Sequence, residues 1–157
     1  MKTTSENDTD VTVRGLRPDD LQAVIALDAR NTGRRRDAFF KIKLQQNLAE
    51  TGIKVSLAAE VDGIFVGFLL ARVLYGEFGL PEPVAVLDTL DVHPDFRGRG
   101  VGHALLEQLR VNLCGLRVTT LRTEVGWDEF DLLGFFHHEG FAPAQRLCLD
   151  MAVTPRP

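Results

Sequence analysis

No stretch of this chain approaches the about 20 consecutive apolar residues that a membrane-spanning helix needs. Its start, Met1 to Asp10, is polar where a signal segment would be apolar. Neither a membrane anchor nor export is expected, and the expected location is the cytoplasm. A basic excess is also missing: 18 Lys and Arg stand against 22 Asp and Glu, for a formal net charge of -4. Phosphate-backbone binding draws on clustered positive charge, so nucleic acid is not an expected partner. Cysteine is scarce. Cys114 and Cys148 lie in apolar stretches and form no CxxC pair or His-rich cluster, so no metal site is expected. Both thiols are expected to be buried and reduced.

What is present is a chain of 157 residues with 45% apolar content, enough for one core of ordinary size and short for two. The expected organisation is a disordered leader over 1–10, one domain over 11–153 and a tail over 154–157. Val11 to Arg14 alternates with strand period. Arg17-Pro18-Asp19-Asp20 then opens a helix to about Arg30, with proline and acids where the unpaired amides are. A second helix is expected from about Arg36 to Glu50, ended by Thr51-Gly52, and two apolar runs around Asp62-Gly63 read as a hairpin over Val55 to Tyr75. Strands follow at Val84 to Val92 and Val118 to Val125, helices at Gly100 to Cys114 and Asp128 to His138, and one or two closing strands within Phe141 to Val153. Hairpins mixed with β-α-β crossovers predict an α/β (α+β) fold, a mixed sheet covered by helices. The apolar closing strand Arg146 to Met151, if it ends at a sheet edge, is compatible with a homodimer.

The segment Leu90-Asp91-Val92-His93-Pro94-Asp95-Phe96-Arg97-Gly98-Arg99-Gly100-Val101-Gly102-His103 carries the chemistry. An apolar strand runs through a proline turn and alternating glycines directly into an amphipathic helix. A helix start exposes unpaired amides and a partial positive charge, and glycines let a diphosphate approach them. Arg97 and Arg99 add charge-assisted donors at the same place. The dinucleotide pattern GxGxxG fails, because His103 stands where the third glycine belongs. The P-loop pattern fails for want of a lysine. What remains is [Arg/Gln]xxGx[Gly/Ala], met by Arg97, Gly100 and Gly102.

In this the chain resembles the GNAT (GCN5-related N-acetyltransferase) family, whose acetyl-CoA loop has that form. A second stretch, Glu124 to Phe141, resembles the later family segment, in which a strand ending in Glu-Val precedes a helix and a Gly-Phe pair. With Arg14 to Asp20 the resemblance covers nearly all of residues 11–153. It implies a mostly antiparallel mixed sheet of about 6–7 strands flanked by about four helices, with acetyl-CoA as cofactor and an amine as substrate. It also implies cofactor contacts at Leu90, Asp91 and Val92 through backbone amides, at Arg97, Gly98, Arg99, Gly100, Val101, Gly102 and His103 around the diphosphate, and at Phe136.

Acyl transfer to an amine needs a neutral nitrogen, a polarised thioester carbonyl and a way for the thiolate to leave. The resemblance puts a base at Glu124, with pairing to Arg122 or Arg72 as the plainer role for that side chain. Asp88 is the second candidate, because a carboxylate inside an apolar strand must be paired or functional. The family's tyrosine acid is replaced by Phe136, which leaves His137, His138 and Tyr75 as substitutes or no acid at all. The resemblance also marks Glu129 as standing in for an asparagine that meets the cofactor. Glu77 is a candidate for substrate recognition. Trp127 reads as a packing residue ahead of an acceptor-pocket residue. Arg34-Arg35-Arg36 reads as a solvated turn, with an anion on the acceptor or the coenzyme's ribose phosphate as the alternative. A non-catalytic acyl-CoA-binding module is the competing reading.

Overall fold

The computed structural model describes residues 9–49 and 54–155. Most of the expected leader, the Glu50 to Gly52 helix end and the last two tail residues lie outside the described residues. The chain divides into two compact units, one up to Glu124 and one from Val125 on.

The first unit holds β1 (Val11–Gly15), α1 (Leu21–Thr32), α2 (Asp37–Ala49), β2 (Leu57–Val61), β3 (Ile64–Leu74), β4 (Val84–Val92), α3 (Val101–Gly115) and β5 (Leu121–Thr123). The strands form one sheet in the order β1-β2-β3-β4-β5, antiparallel up to β4 and parallel between β4 and β5. A parallel pair needs a crossover, and α3 supplies it. The β2–β3 hairpin turns on Asp62 and Gly63, both at positive φ (51° and 76°), which suits the right-handed twist of the flanking strands.

Both faces of β3 are covered, so its interior reads as a continuous apolar run. Phe68 and Leu70 point into a core with Val24, Ile25 and Leu27 of α1 and Phe40, Leu44 and Leu48 of α2. The opposite parity, Gly67 and Leu69, faces away from that core, and α3 brings Val101 and Leu105 against Gly67. A Cβ on Gly67 would meet Val101 Cγ1 at 2.9 Å and Asp91 O at 3.1 Å. The absent side chain therefore sets how closely the first turn of α3 lies on the sheet.

The second unit holds α4 (Phe130–His138), closed by bonds from the Gly140 amide to His137 O (3.1 Å) and the Phe141 amide to Phe136 O (2.9 Å). The described residues form five strands and four α-helices. This corrects the expectation of six or seven strands: no strand forms at 141–153, and β5 is shorter than Val118 to Val125. In that closing segment the alternating Leu147, Leu149, Met151 and Val153 are all exposed, so the pattern is strand-like but has no ladder. Cys114 and Cys148 are exposed, against the expectation of burial. Cys114 takes a solvent position on α3, whose buried stripe is Val101, Leu105, Leu106, Leu109 and Leu113.

Candidate active site

The glycine loop is built by a short turn and two left-handed glycines. After β4, Pro94–Phe96 forms one 3-10 turn, in which His93 Nδ1 accepts from the Asp95 amide at 3.1 Å. The Phe96 ring packs edge-on against His93, with centroids 5.6 Å apart, and lies 5.1 Å from the Arg99 guanidinium. Gly98 and Gly100 take φ of 73° and 79°, a region that costs any other residue. Gly100 is the N-cap of α3 and brings no capping side chain. The first bond inside the helix runs from the Ala104 amide to Gly100 O at 2.9 Å. The amides of Val101 and Gly102 precede it, so the helix supplies them no acceptor. The side chains of Arg97 and Arg99 stand exposed beside this turn.

The edge of β4 opens next to this loop. Pairing with β5 ends at Leu87 opposite Thr123, and Thr123 Oγ1 donates to Leu87 O at 3.0 Å. Asp88 and Glu124 are the next residues on the two strands. Asp88 is also the extra residue of a β-bulge: Leu70 pairs with Thr89 and Ala71 with Leu87, which leaves Asp88 without a partner on β3. Beyond the bulge, the His93 amide bonds to Val66 O, so the alternation of an antiparallel ladder turns the Asp91 amide toward β3 as well. It turns the amides of Leu90 and Val92 to the open edge. The Asp88 carboxylate lies 3.7 Å from both Lys43 Nζ of α2 and Arg72 Nη2 of β3. Glu124 is exposed just past the end of β5.

A polar network that sequence reasoning missed joins these parts. Asn31 of α1 donates through Nδ2 to Asp91 Oδ1 at 3.0 Å and to Val92 O at 3.2 Å, and its Oδ1 accepts from Arg97 Nη2 at 3.0 Å. Beside it Asp28, only 1% exposed, is held by a two-pronged bond from Arg36 at 2.9 and 2.5 Å. Arg36 also lies 5.0 and 5.3 Å from the Phe39 and Phe40 rings. Arg36 thus corrects the solvated-turn expectation, whereas Arg35 fits it, pairing with Asp37 on the surface. Burial pushes the Asp91 carboxyl above the usual range. The Asn31 hydrogen bond opposes that shift, the Asp28 charge adds to it, and Arg36 and Arg97 work against it. The one signal in the sequence was Asp28 itself, an acid on the apolar stripe of α1 beside Val24, Ile25 and Leu27.

In the second unit Phe136 is buried and packs against Phe135 and Phe141, with ring centroids 5.4 and 4.9 Å apart. Trp127 is 92% exposed, which corrects its reading as a packing residue. Glu129 Oε2 accepts from the Gly126 amide at 2.7 Å, a local use for the side chain. His137 and His138 lie in the last turn of α4. Tyr75 and Glu77 are exposed around the end of β3.

The residues present fit a diphosphate-bearing coenzyme. An uncapped helix start after left-handed glycines offers amides, two arginines offer charge, and the strand edge beside them offers the amides an extended amide-containing arm would pair with. The model of the Acetyltransferase (GNAT) family matches residues 21–141. Among solved structures, the fold is similar to that of an aminoglycoside N-acetyltransferase, AAC(6')-Iy, in complex with CoA, at a TM-score of 0.77 and 18% identity over 95% of this chain and 99% of that one. It is also similar to a ribosomal-protein-alanine N-acetyltransferase from Brucella melitensis biovar Abortus 2308, at a TM-score of 0.74 and 22% identity over 92% of this chain and 100% of that one. A transcriptional regulator from Bacillus halodurans C-125 has the same fold, at a TM-score of 0.77 and 18% identity over 92% of this chain and 100% of that one.

Proposed function

The chain belongs to the GNAT acetyltransferase family and is an acetyl-CoA-dependent N-acetyltransferase, and on that premise we propose that it acetylates a primary amine by direct attack within a ternary complex. The observation that carries this reading is the meeting, within one compact unit, of the open edge of β4 with the uncapped first turn of α3.

Acetyl-CoA supplies the acetyl thioester. In this reading the amides of Val101, Gly102 and His103, the loop residues Gly98 and Gly100, and the side chains of Arg97 and Arg99 take the diphosphate. Leu90 and Val92 present their amides to the acyl arm and to the carbonyl oxygen, where preorganised donors are worth a few kcal/mol. Asp91 contributes through its carboxylate rather than its amide. Glu124 takes the proton that the attacking amine loses as the N–C bond forms and the C–S bond breaks. Asp88, which faces Lys43 and Arg72, orients the acceptor. Phe136, packed on Phe135 and Phe141, donates no proton. None is required of it, since a thiol of pKa about 8.5 leaves as thiolate near neutral pH.

Similar folds carry the names of an aminoglycoside and of a ribosomal-protein alanine as acceptors. Small-molecule amines and protein N-termini are therefore the two acceptor classes to assay. Thiol release from acetyl-CoA is followed with polyamines, aminoglycosides, amino acids and N-terminal peptides, and the product is weighed by mass spectrometry. Turnover with the mass gain of one acetyl group supports the reading. CoA binding without turnover on any of them supports a non-catalytic module instead. The proposal further treats 11–153 as a single domain acting in the cytoplasm as a homodimer. Support for the dimer comes from the exposed alternation of Leu147, Leu149, Met151 and Val153.

A further inference from the structure

Asn31 stands near the end of α1, two residues before the left-handed Gly33 that closes the helix. Its side-chain amide bonds to three groups that are 60, 61 and 66 residues distant along the chain. Two of them, the Asp91 carboxylate and the Val92 carbonyl, are acceptors on the open strand edge. The third, the Arg97 guanidinium, is a donor on the phosphate loop. This arrangement fixes which way the amide faces. A flipped amide would set its oxygen against the carboxylate and its NH2 against the guanidinium, losing all three bonds. The Asp91 charge thereby determines that the Asn31 oxygen is presented to Arg97.

We propose that Asn31 is a positioning residue for the acyl donor: it holds the Arg97 side chain beside the glycine loop, ready for the diphosphate. Only one of the five N–H donors of the guanidinium is committed to Asn31 in the described contacts, which leaves the fork able to engage phosphate oxygens. An arginine on an exposed loop otherwise has many rotamers, and ordering it on binding lowers affinity. Held in advance, it binds with less loss of freedom. The inference rests on the reading of the glycine loop as the diphosphate site.

The test is a double-mutant cycle on the full chain, with the Kd for CoA measured by calorimetry for wild type, Asn31→Ala, Arg97→Ala and the double variant. Asn31→Ala is expected to weaken CoA by about 3- to 10-fold, the size of one long side chain's ordering cost. In the Arg97→Ala background the same change is expected to cost nothing more. A residue that only supports the fold would weaken binding by the same factor in both backgrounds, and that result, or no loss in the first, overturns the proposal. Asn31→Leu keeps the volume without polar atoms and replaces the alanine variant if that variant does not fold. Wild-type protein with no affinity for CoA would instead remove the reading of the loop on which the proposal rests.

Discussion

Gly67 of β3 lies directly beneath Val101, with the valine Cγ1 2.9 Å from where a glycine side chain would begin. This contact joins the middle of the sheet to the first turn of α3, whose amides face the proposed diphosphate site. Gly67→Ala is expected to push that turn off β3, at a cost of about 1–3 kcal/mol for overpacking. CoA affinity should fall with it. Chemical denaturation and calorimetry check both, and unchanged values in both would contradict the close approach.

Gly100 has open space around it but holds φ at 79°. Gly100→Ala introduces no clash, so its cost is conformational, about 1–2 kcal/mol for a left-handed residue. The expected outcome is a lower melting temperature together with weaker CoA binding, since relief of the strain would re-aim the amides of Val101 and Gly102. Gly15→Ala, also in open space but without positive φ, is the control and should leave CoA binding unchanged.

Removing Arg36 leaves the Asp28 carboxylate buried without its partner. Arg36→Met is expected to destabilise by about 3 kcal/mol, the cost of an uncompensated buried charge. The pair replaced together, Asp28→Leu with Arg36→Met, should recover most of that loss. Urea unfolding decides it, and a double variant no better than the single one would contradict the assignment.

Asp20 and Asp91 are expected to respond to pH in opposite directions. Burial of Asp20 opposes its charge, but the hydrogen bonds from the Arg14 side chain and the Arg17 amide outweigh it and hold the carboxyl below its ordinary value. Its contribution is therefore present above the usual carboxylate range and lost as pH falls through the lower native value. Asp91 sits above its ordinary value, so the native state keeps the extra proton and stability declines as pH rises across that window. Asp20→Asn should be less stable than wild type at neutral pH, with a penalty that shrinks in acid. Asp91→Asn should be as stable as wild type or more so at neutral pH, and any advantage should vanish in acid. Unfolding curves across the pH range test both signs.

The legible part of the fold was its local part. Asp62-Gly63 announces a hairpin because two adjacent residues must accept positive φ, and the Arg97 to Gly102 run announces a helix start because its glycines, turn and apolar periodicity are contiguous. What went unread depends on residues far apart. The Asn31 bridge spans 60 residues or more, and the Asp88 bulge exists only relative to β3. Gly67 stands inside a strand, and only the approach of α3 gives it a reason. The closing segment misled in the other direction. Leu147, Leu149, Met151 and Val153 alternate as a strand should, yet alternation states which side a residue would face and not whether a partner is there.

The account depends most on a diphosphate meeting the start of α3. Titration of isotope-labelled protein with CoA, followed through backbone amide resonances, tests that contact residue by residue. The expected result is large, saturable shifts at Gly98, Gly100, Val101, Gly102 and His103, with Leu90 and Val92 moving along the strand edge. Saturable shifts confined to residues away from this loop, or none at all, would contradict it.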